Sequence, residues 1–266
     1  MADIVQYIQG NVSDEGKVNW RSGDSAVTPG DQSIYDTSSV QLAELGQIKV
    51  VGDRIFKYAQ VAATFKPGQP AQNVGKNGAT TLQSTAGAAD VAGQKQVTFF
   101  FSSAAASGTI AANFYAEGMV YLGGAGTSTQ MGMAYRVKSH SAITTSGNGI
   151  LYTYDPLKYT TVVTDNYVLQ ANKYANLTIN TGAAMCPGIV CVNATTGDYT
   201  WIQVQGPCPC MITGTGIDGT LMTIVSSGLA PLIATGTGAV SLPQVGVSMV
   251  IQTSGFPGLV WLNIGI

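Results

Sequence analysis

A chain of 266 residues, 45% of them hydrophobic, is long enough for one large β domain or two smaller ones around a sizeable core. Only 10% of the residues are charged, against about 25% in an average soluble domain, so the surface is either neutral and polar or sealed against neighbours, as charge-depleted interface cores are. The net charge of −2, with Lys and Arg scattered, argues against a nucleic-acid partner, and no uncharged apolar run reaches the ~18 residues of a membrane helix, so no membrane partner is expected.

The first ten residues, MADIVQYIQG, carry neither a basic region nor an apolar one. No secretory signal is expected, and the glycosylation triplets at Asn176 and Asn193 are given no weight. Residues 1–38 are polar and turn-rich and read as an extended arm. They are either a frayed terminus or a strap lying on a neighbouring subunit, with Trp20, Ile34 and Tyr35 as anchors. Ser38 to Glu44 makes at most a short helix. Leu45 to Val61 reads as a β-hairpin, with Ile48 and Val50 alternating before a turn at Gly52-Asp53. QVTFFFSS, Gln96 to Ser103, reads as a buried strand.

Strand-like runs continue through NFYAEGMVYLGG, MGMAYRVKSHSAI and GILYTYDPLKYTTVVTDNYVLQ, punctuated by Gly, Asn and Asp. The last section holds CPGIVCVN, YTWIQVQG, GTLMTIVSS, QVGVSMVIQT and LVWLNIGI, a compact all-β unit with short connections. The expected fold is therefore mainly β: many short antiparallel strands in one or two barrel or sandwich units. The expected segments are the arm 1–38, a β-rich domain 39–180, and a C-terminal barrel or sandwich 181–266. The 45–72 hairpin is a candidate to complete that last unit.

Cys186, Cys191, Cys208 and Cys210 raise three options: a zinc site, a disulfide, or small buried hydrophobes. Cys191 sits in an apolar strand and, five residues from Cys186, would face away from it. Cys208 and Cys210 share a face, with proline shaping the strand between them. The packing role is favoured, so no metal is expected. Trp201 shares a strand face with Tyr199, Gln203 and Gln205; it reads as the cap of a core or an interface, with a partner for its indole N–H. A sugar-stacking platform is the functional rival.

GTGIDG, Gly214 to Gly219, matches a dinucleotide fingerprint, but the β-rich TLMTIVSS follows where a helix is required. GGAGTS, Gly123 to Ser128, is a hairpin loop. His140 lies between Ser139 and Ser141, but neighbours on a strand point apart, so a triad with Asp155 is not expected. Asp14-Glu15 lies in the arm, and Glu44, Asp53, Glu117, Asp155 and Asp165 stand isolated. No catalytic, cofactor or metal residues are assigned.

One ordered set of phrases carries a resemblance. GDRIFKYAQV then PGQ, YAEG, AYRVKSHSAI, YTYDPL, CPGIV, DYTWIQVQGP and QVGVSMV are similar, in order and spacing, to a group of tailed-bacteriophage virion proteins associated with capsid decoration, or cement. The resemblance covers residues 45 to 266. It implies a non-enzymatic shell component on the capsid outer surface, made in the bacterial host cytoplasm, that binds the major capsid protein and bridges neighbouring capsomers as a homo-trimer. In such proteins small residues commonly stand where Cys208 and Cys210 stand here, which again favours packing. The alternative is a tail or fibre protein that binds a host-surface glycan through Tyr152, Tyr154 and Tyr159. A hydrolase with a hidden carboxylate pair, roughly 5–10 Å apart, is a third reading. The principal shell protein itself is disfavoured, because no apolar stripe matches a long spine helix.

Overall fold

The structure is a computed structural model describing residues 32–73, 81–101, 110–123, 132–142, 147–163, 165–182, 185–215, 217–225, 227–231, 244–251 and 254–264. Trp20, Asp14, Glu15 and most of GGAGTS lie outside the described residues. Among the described residues there are seventeen strands and no helix. The fold is mainly β, as the short runs of β-branched and aromatic residues between turn signals require. No helix forms over Ser38–Glu44; the Ser38 hydroxyl instead closes a local turn on Val40, accepting from its N–H and donating to its carbonyl.

The chain folds as two compact units, Val74–Lys173 and the remainder on either side of it. The expected 39–180 segment is thus divided between them. The reason is non-local pairing: β4 (Gln69–Asn73) pairs antiparallel with β11 (Leu177–Ile179), Asn73 facing Leu177, so the chain leaves and re-enters the same sheet.

The inserted unit is a closed six-stranded antiparallel barrel. Its strands are β5 (Thr81–Ala86), β6 (Gln96–Phe101), β7 (Met119–Gly123), β8 (Met133–His140), β9 (Gly147–Thr153) and β10 (Asn166–Gln170), in the order β10-β5-β6-β9-β8-β7. Closure removes sheet edges. Alternate residues point inward: Val97 and Phe99, Val120 and Leu122, Tyr135 and Val137, Tyr167 and Leu169 are all core. β6 is accordingly half-buried rather than buried throughout, because Phe100, next to the core residue Phe99, is 40% exposed. Phe99 faces Gly149 across β6 and β9. A Cβ at Gly149 would run into the Phe99 ring, so the glycine is what lets that ring lie in the core.

The other unit is an eleven-stranded sheet system. Its strands before the insertion are β1 (Thr37–Ser38), β2 (Ile48–Val51), β3 (Arg54–Gln60) and β4. After it come β11, β12 (Ile189–Val190), β13 (Tyr199–Met211), β14 (Leu221–Val225), β15 (Gly228–Pro231), β16 (Gln244–Ser248) and β17 (Pro257–Asn263). β2 and β3 form the hairpin, with Val51 opposite Arg54 across Gly52-Asp53. β13, thirteen residues long, is the spine, paired with β1, β3, β12 and β17. The 45–72 segment therefore belongs to the same sheet as the C-terminal strands.

β13 bends at a bulge between Gln203 and Gln205. The buried Gln203 amide bridges it, donating to the carbonyls of Gln205 (3.0 Å) and Pro207 (2.9 Å). Gly206 follows at φ +86°, where any Cβ would meet the Asp53 carbonyl oxygen. Three apolar clusters result. One lies under β13 to β17, one around Phe65, Tyr174 and Leu177, and an aromatic one joins Ile34, Phe56, Tyr58 and Trp201.

Candidate functional site

Lys49 and Phe56 are cross-strand partners, as are Phe56 and Gln203, and Tyr58 and Trp201. Residues directly opposite share a sheet face. β2, β3 and β13 therefore put Lys49, Phe56, Tyr58, Tyr199 and Trp201 on one side. Tyr58 stands edge-on to Trp201 with centroids 5.0 Å apart and stacks on Tyr199 at 6.1 Å. The Lys49 ammonium lies 5.0 Å from the Trp201 ring centroid.

On β2 the apolar Ile48 is 39% exposed and the charged Lys49 is buried. The register with Phe56 decides it, because the aromatic side of the hairpin is the one that becomes covered.

What covers it is the segment that begins at Gln32, the root of the expected arm; residues 1–31, the bulk of that arm, lie outside the described residues. The main-chain carbonyl of Gln32 accepts from the Lys49 ammonium (2.8 Å) and from the Trp201 indole N–H (3.0 Å). The Gln32 side-chain amide donates to the carbonyls of Asp36 and Tyr199, both at 2.8 Å, and accepts from the Tyr58 hydroxyl at 2.8 Å. The Tyr58 oxygen in turn accepts from the Leu42 N–H. Burial raises the Tyr58 phenol above its ordinary range, which keeps it a donor. Ile34 packs into the aromatic cluster at 2% exposure, and β1 then pairs Thr37 with Thr200. An open groove beside the root is lined by Gln32, Tyr35, Asp36, Ser38, Leu42 and Asn193.

Of the expected anchors, Ile34 and Trp201 are thus brought together in one cluster. Tyr35 is not: it is 62% exposed and its hydroxyl accepts from Arg54 at 3.2 Å. Ile34 and Tyr35 are the two central residues of a turn closed by the Asp36 N–H on the Ser33 carbonyl, and only Ile34 is turned into the socket. Gln32, Lys49 and Tyr58 were missed by sequence reasoning. The one available signal was Lys49, a charge inside the apolar run IKVV.

The cysteines are free thiols in or against the core. Cys191 and Cys208 have their sulfurs 3.9 Å apart. That contact and burial hold the Cys191 thiol well above its ordinary range. The Cys191 contact lowers Cys208, but Cys210 and burial outweigh it and Cys208 is raised. Burial pushes Cys186 up to about 12. Thiolate, not thiol, ligates metal and attacks. Among the described residues no group of three His, Cys, Asp or Glu could hold a metal ion.

His140 is buried in the barrel unit. Its Nε2 accepts from the Tyr115 N–H (3.0 Å), so Nδ1 carries the proton and donates to the Ser141 carbonyl (2.7 Å). Both ring nitrogens are committed to backbone. Burial lowers its pKa, the Ser141 contact partly offsetting this. Asp165 is also buried, accepting from the Val162 N–H through one oxygen while the other has no partner among the described residues. Asp90 holds the N–H and the hydroxyl of Thr98. Tyr152, Tyr154 and Tyr159 are 46, 41 and 37% exposed. Arg136 lies over Tyr154 and Lys158 over Tyr159.

Comparison of the chain with protein-family models, curated proteins and solved structures finds no match.

Proposed function

We propose that this chain is a structural subunit of a tailed-phage head, a decoration or cement protein that bridges neighbouring capsomers as a closed homo-oligomer, with no catalytic role. The observation that supports it best is the clamped arm root. A bridge under outward pressure needs a segment that reaches a neighbour and a rigid point where the pull enters the body. Five hydrogen bonds fasten Gln32 to β2, β3, β13 and Asp36, and β13 spreads the load across the sheet. In this reading residues 1–31 engage the neighbouring subunit, and the resemblance of the ordered sequence phrases to phage decoration proteins suggests the biological setting.

The test is the copy number of the chain in purified virions, measured by quantitative mass spectrometry against the major capsid protein. A number on the scale of the capsomers supports the reading; absence, or a handful of copies per particle, sinks it. Heads carrying a chain truncated before Gln32 are expected to lose the subunit at lower temperature than heads carrying the full chain.

The exposed Tyr152, Tyr154 and Tyr159, two of them beneath cations, favour a second reading: a tail or fibre protein that stacks a host-surface glycan on these rings. It requires low copy number and binding to cell-surface polysaccharide that Tyr152→Ala with Tyr154→Ala abolishes.

A further inference from the structure

A sheet with one face on a core ordinarily presents polar side chains on the other. The β13–β17–β16–β14 sheet does so at one end, where the exposed Asn263 faces Gln205, but not beside it. Its register places Pro207, Trp261, Val247 and Leu221 in one row across four strands. The flanking positions Cys208, Val260 and Met222 belong to the core, so this row faces outward. Met249 continues the face, its N–H bonded to the Leu259 carbonyl. Trp261, Leu221 and Met249 are 42, 41 and 37% exposed.

The apolar surface extends past the strands. Ile251 and Phe256, at the end of the β16–β17 hairpin, are 78 and 66% exposed. Ile217, 69% exposed, sits in the turn whose Gly219 N–H bonds Ser248. At these fractional exposures the six residues, backbone included, present surface on the order of 700 Å² in sum. The largest apolar patch on a typical monomer is about 300–600 Å², and each partner in a standard stable interface contributes about 800 Å². Charge is missing as well: from Tyr199 to Ile266 the only ionisable acid or base of the Asp, Glu, Lys, Arg class is Asp218.

We infer that this face is covered by a second copy of the chain, the two meeting face to face about a two-fold axis. An area of this size matches what a dimer needs. Asp218, exposed beside Ile217, is the one charge of the Tyr199–Ile266 stretch, so the face has little to repel its own image, and a two-fold axis superposes such a patch on itself, Trp261 near Trp261. A partner selected by complementary charge would find a single carboxylate in this stretch to read. The second copy is also the one partner present wherever the chain is made, before any particle exists to shield the surface. The contact stands apart from the head-binding reading, puts a two-fold pair where the resemblance implies a trimer, and is tested without phage particles.

The experiment is sedimentation velocity and native mass of the full chain between about 1 and 100 µM, beside Trp261→Asp with Met249→Asp. The wild type is expected to form two-chain particles. The double variant is expected to remain one chain at concentrations about a hundredfold higher than those that pair the wild type, with its circular dichroism unchanged. Hydrogen exchange on the wild type serves where the variant fails to fold: protection at 217–221, 247–251 and 256–261 is expected to rise with concentration. A single chain at the highest concentration, a three-chain particle, or protection already complete at a concentration where the native mass is that of one chain overturns the inference; the last outcome assigns the cover to another segment of the same chain.

Discussion

Replacing Gln32 by alanine removes three of the five bonds that hold the arm root while leaving its main-chain carbonyl in place. The two donors to the Asp36 and Tyr199 carbonyls vanish, and the buried Tyr58 hydroxyl loses its acceptor. A typical intramolecular hydrogen bond contributes about 1 kcal/mol net, and a buried donor left without a partner costs about 1–3 kcal/mol. The Asp36 carbonyl keeps a contact from the Thr200 hydroxyl and the Tyr58 oxygen keeps the Leu42 N–H, so the sum is about 3 kcal/mol. That cost falls on local opening of the root, because β13 and β3 retain their ladder. At 1.4 kcal/mol per tenfold, the opening equilibrium rises about a hundredfold. The Trp201 indole N–H reports it directly, since its acceptor is the Gln32 carbonyl. Its hydrogen-exchange rate, followed by NMR, should increase by that factor. Tyr58→Phe, alone and combined with Gln32→Ala, should show a coupling of about 1 kcal/mol. An exchange rate within threefold of wild type would refute the clamp, whatever the global stability does.

Gly149→Val drives a branched side chain into the Phe99 ring and should destabilise the barrel unit by about 3 kcal/mol in urea unfolding, with Phe99→Ala in the same chain recovering part of the loss. Burial depresses the folded His140 pKa, so its contribution to stability is full above the unfolded value of about 6.5 and is lost as the pH falls from there through the folded value. Urea midpoints of the barrel unit at a series of pH values should decline over that window in wild type and decline less in His140→Asn. Thiol-reactive dyes at pH 8 should label Cys186 and Cys208 in the folded chain at least about a hundredfold more slowly than in urea, because both are buried and held protonated; rapid labelling of Cys208 would contradict its placement. Self-association through the Trp261 face buries apolar surface without ion pairs. It should therefore be insensitive to sodium chloride, with a heat-capacity change of about −0.6 kcal/mol/K by dilution calorimetry.

The residues that sequence reasoning placed correctly are those governed by neighbours. Gly52 and Asp53 between alternating apolar runs specify the β2–β3 turn without help from the rest of the chain. The cysteines read as packing residues because their apolar flanks already describe a core strand. Long-range pairing was invisible. Nothing near Asn73 announces that its partner is Leu177, so the insertion of a whole barrel between them leaves no local mark. Lys49 shows the same limit at the level of one side chain: alternation fixes which residues share a face but not which face is covered, and the covering here comes from Gln32, seventeen positions upstream.

The outward row of the C-terminal sheet sharpens the point. PGLVWLN carries apolar residues at both parities, and such a run reads as a strand buried on both sides within one subunit. Its inner parity, Val260 and Leu262, does enter the core; its outer parity, Trp261, does not. A sequence written for burial on two faces, in a fold that supplies only one, locates the other burial outside the subunit. The chain's low charge, a single number over 266 residues, thereby resolves into two stretches. The first holds every Lys, Arg and Glu and all but one Asp, and the second, from Tyr199 onward, holds Asp218 alone. It is the second that a neighbouring molecule has to complete.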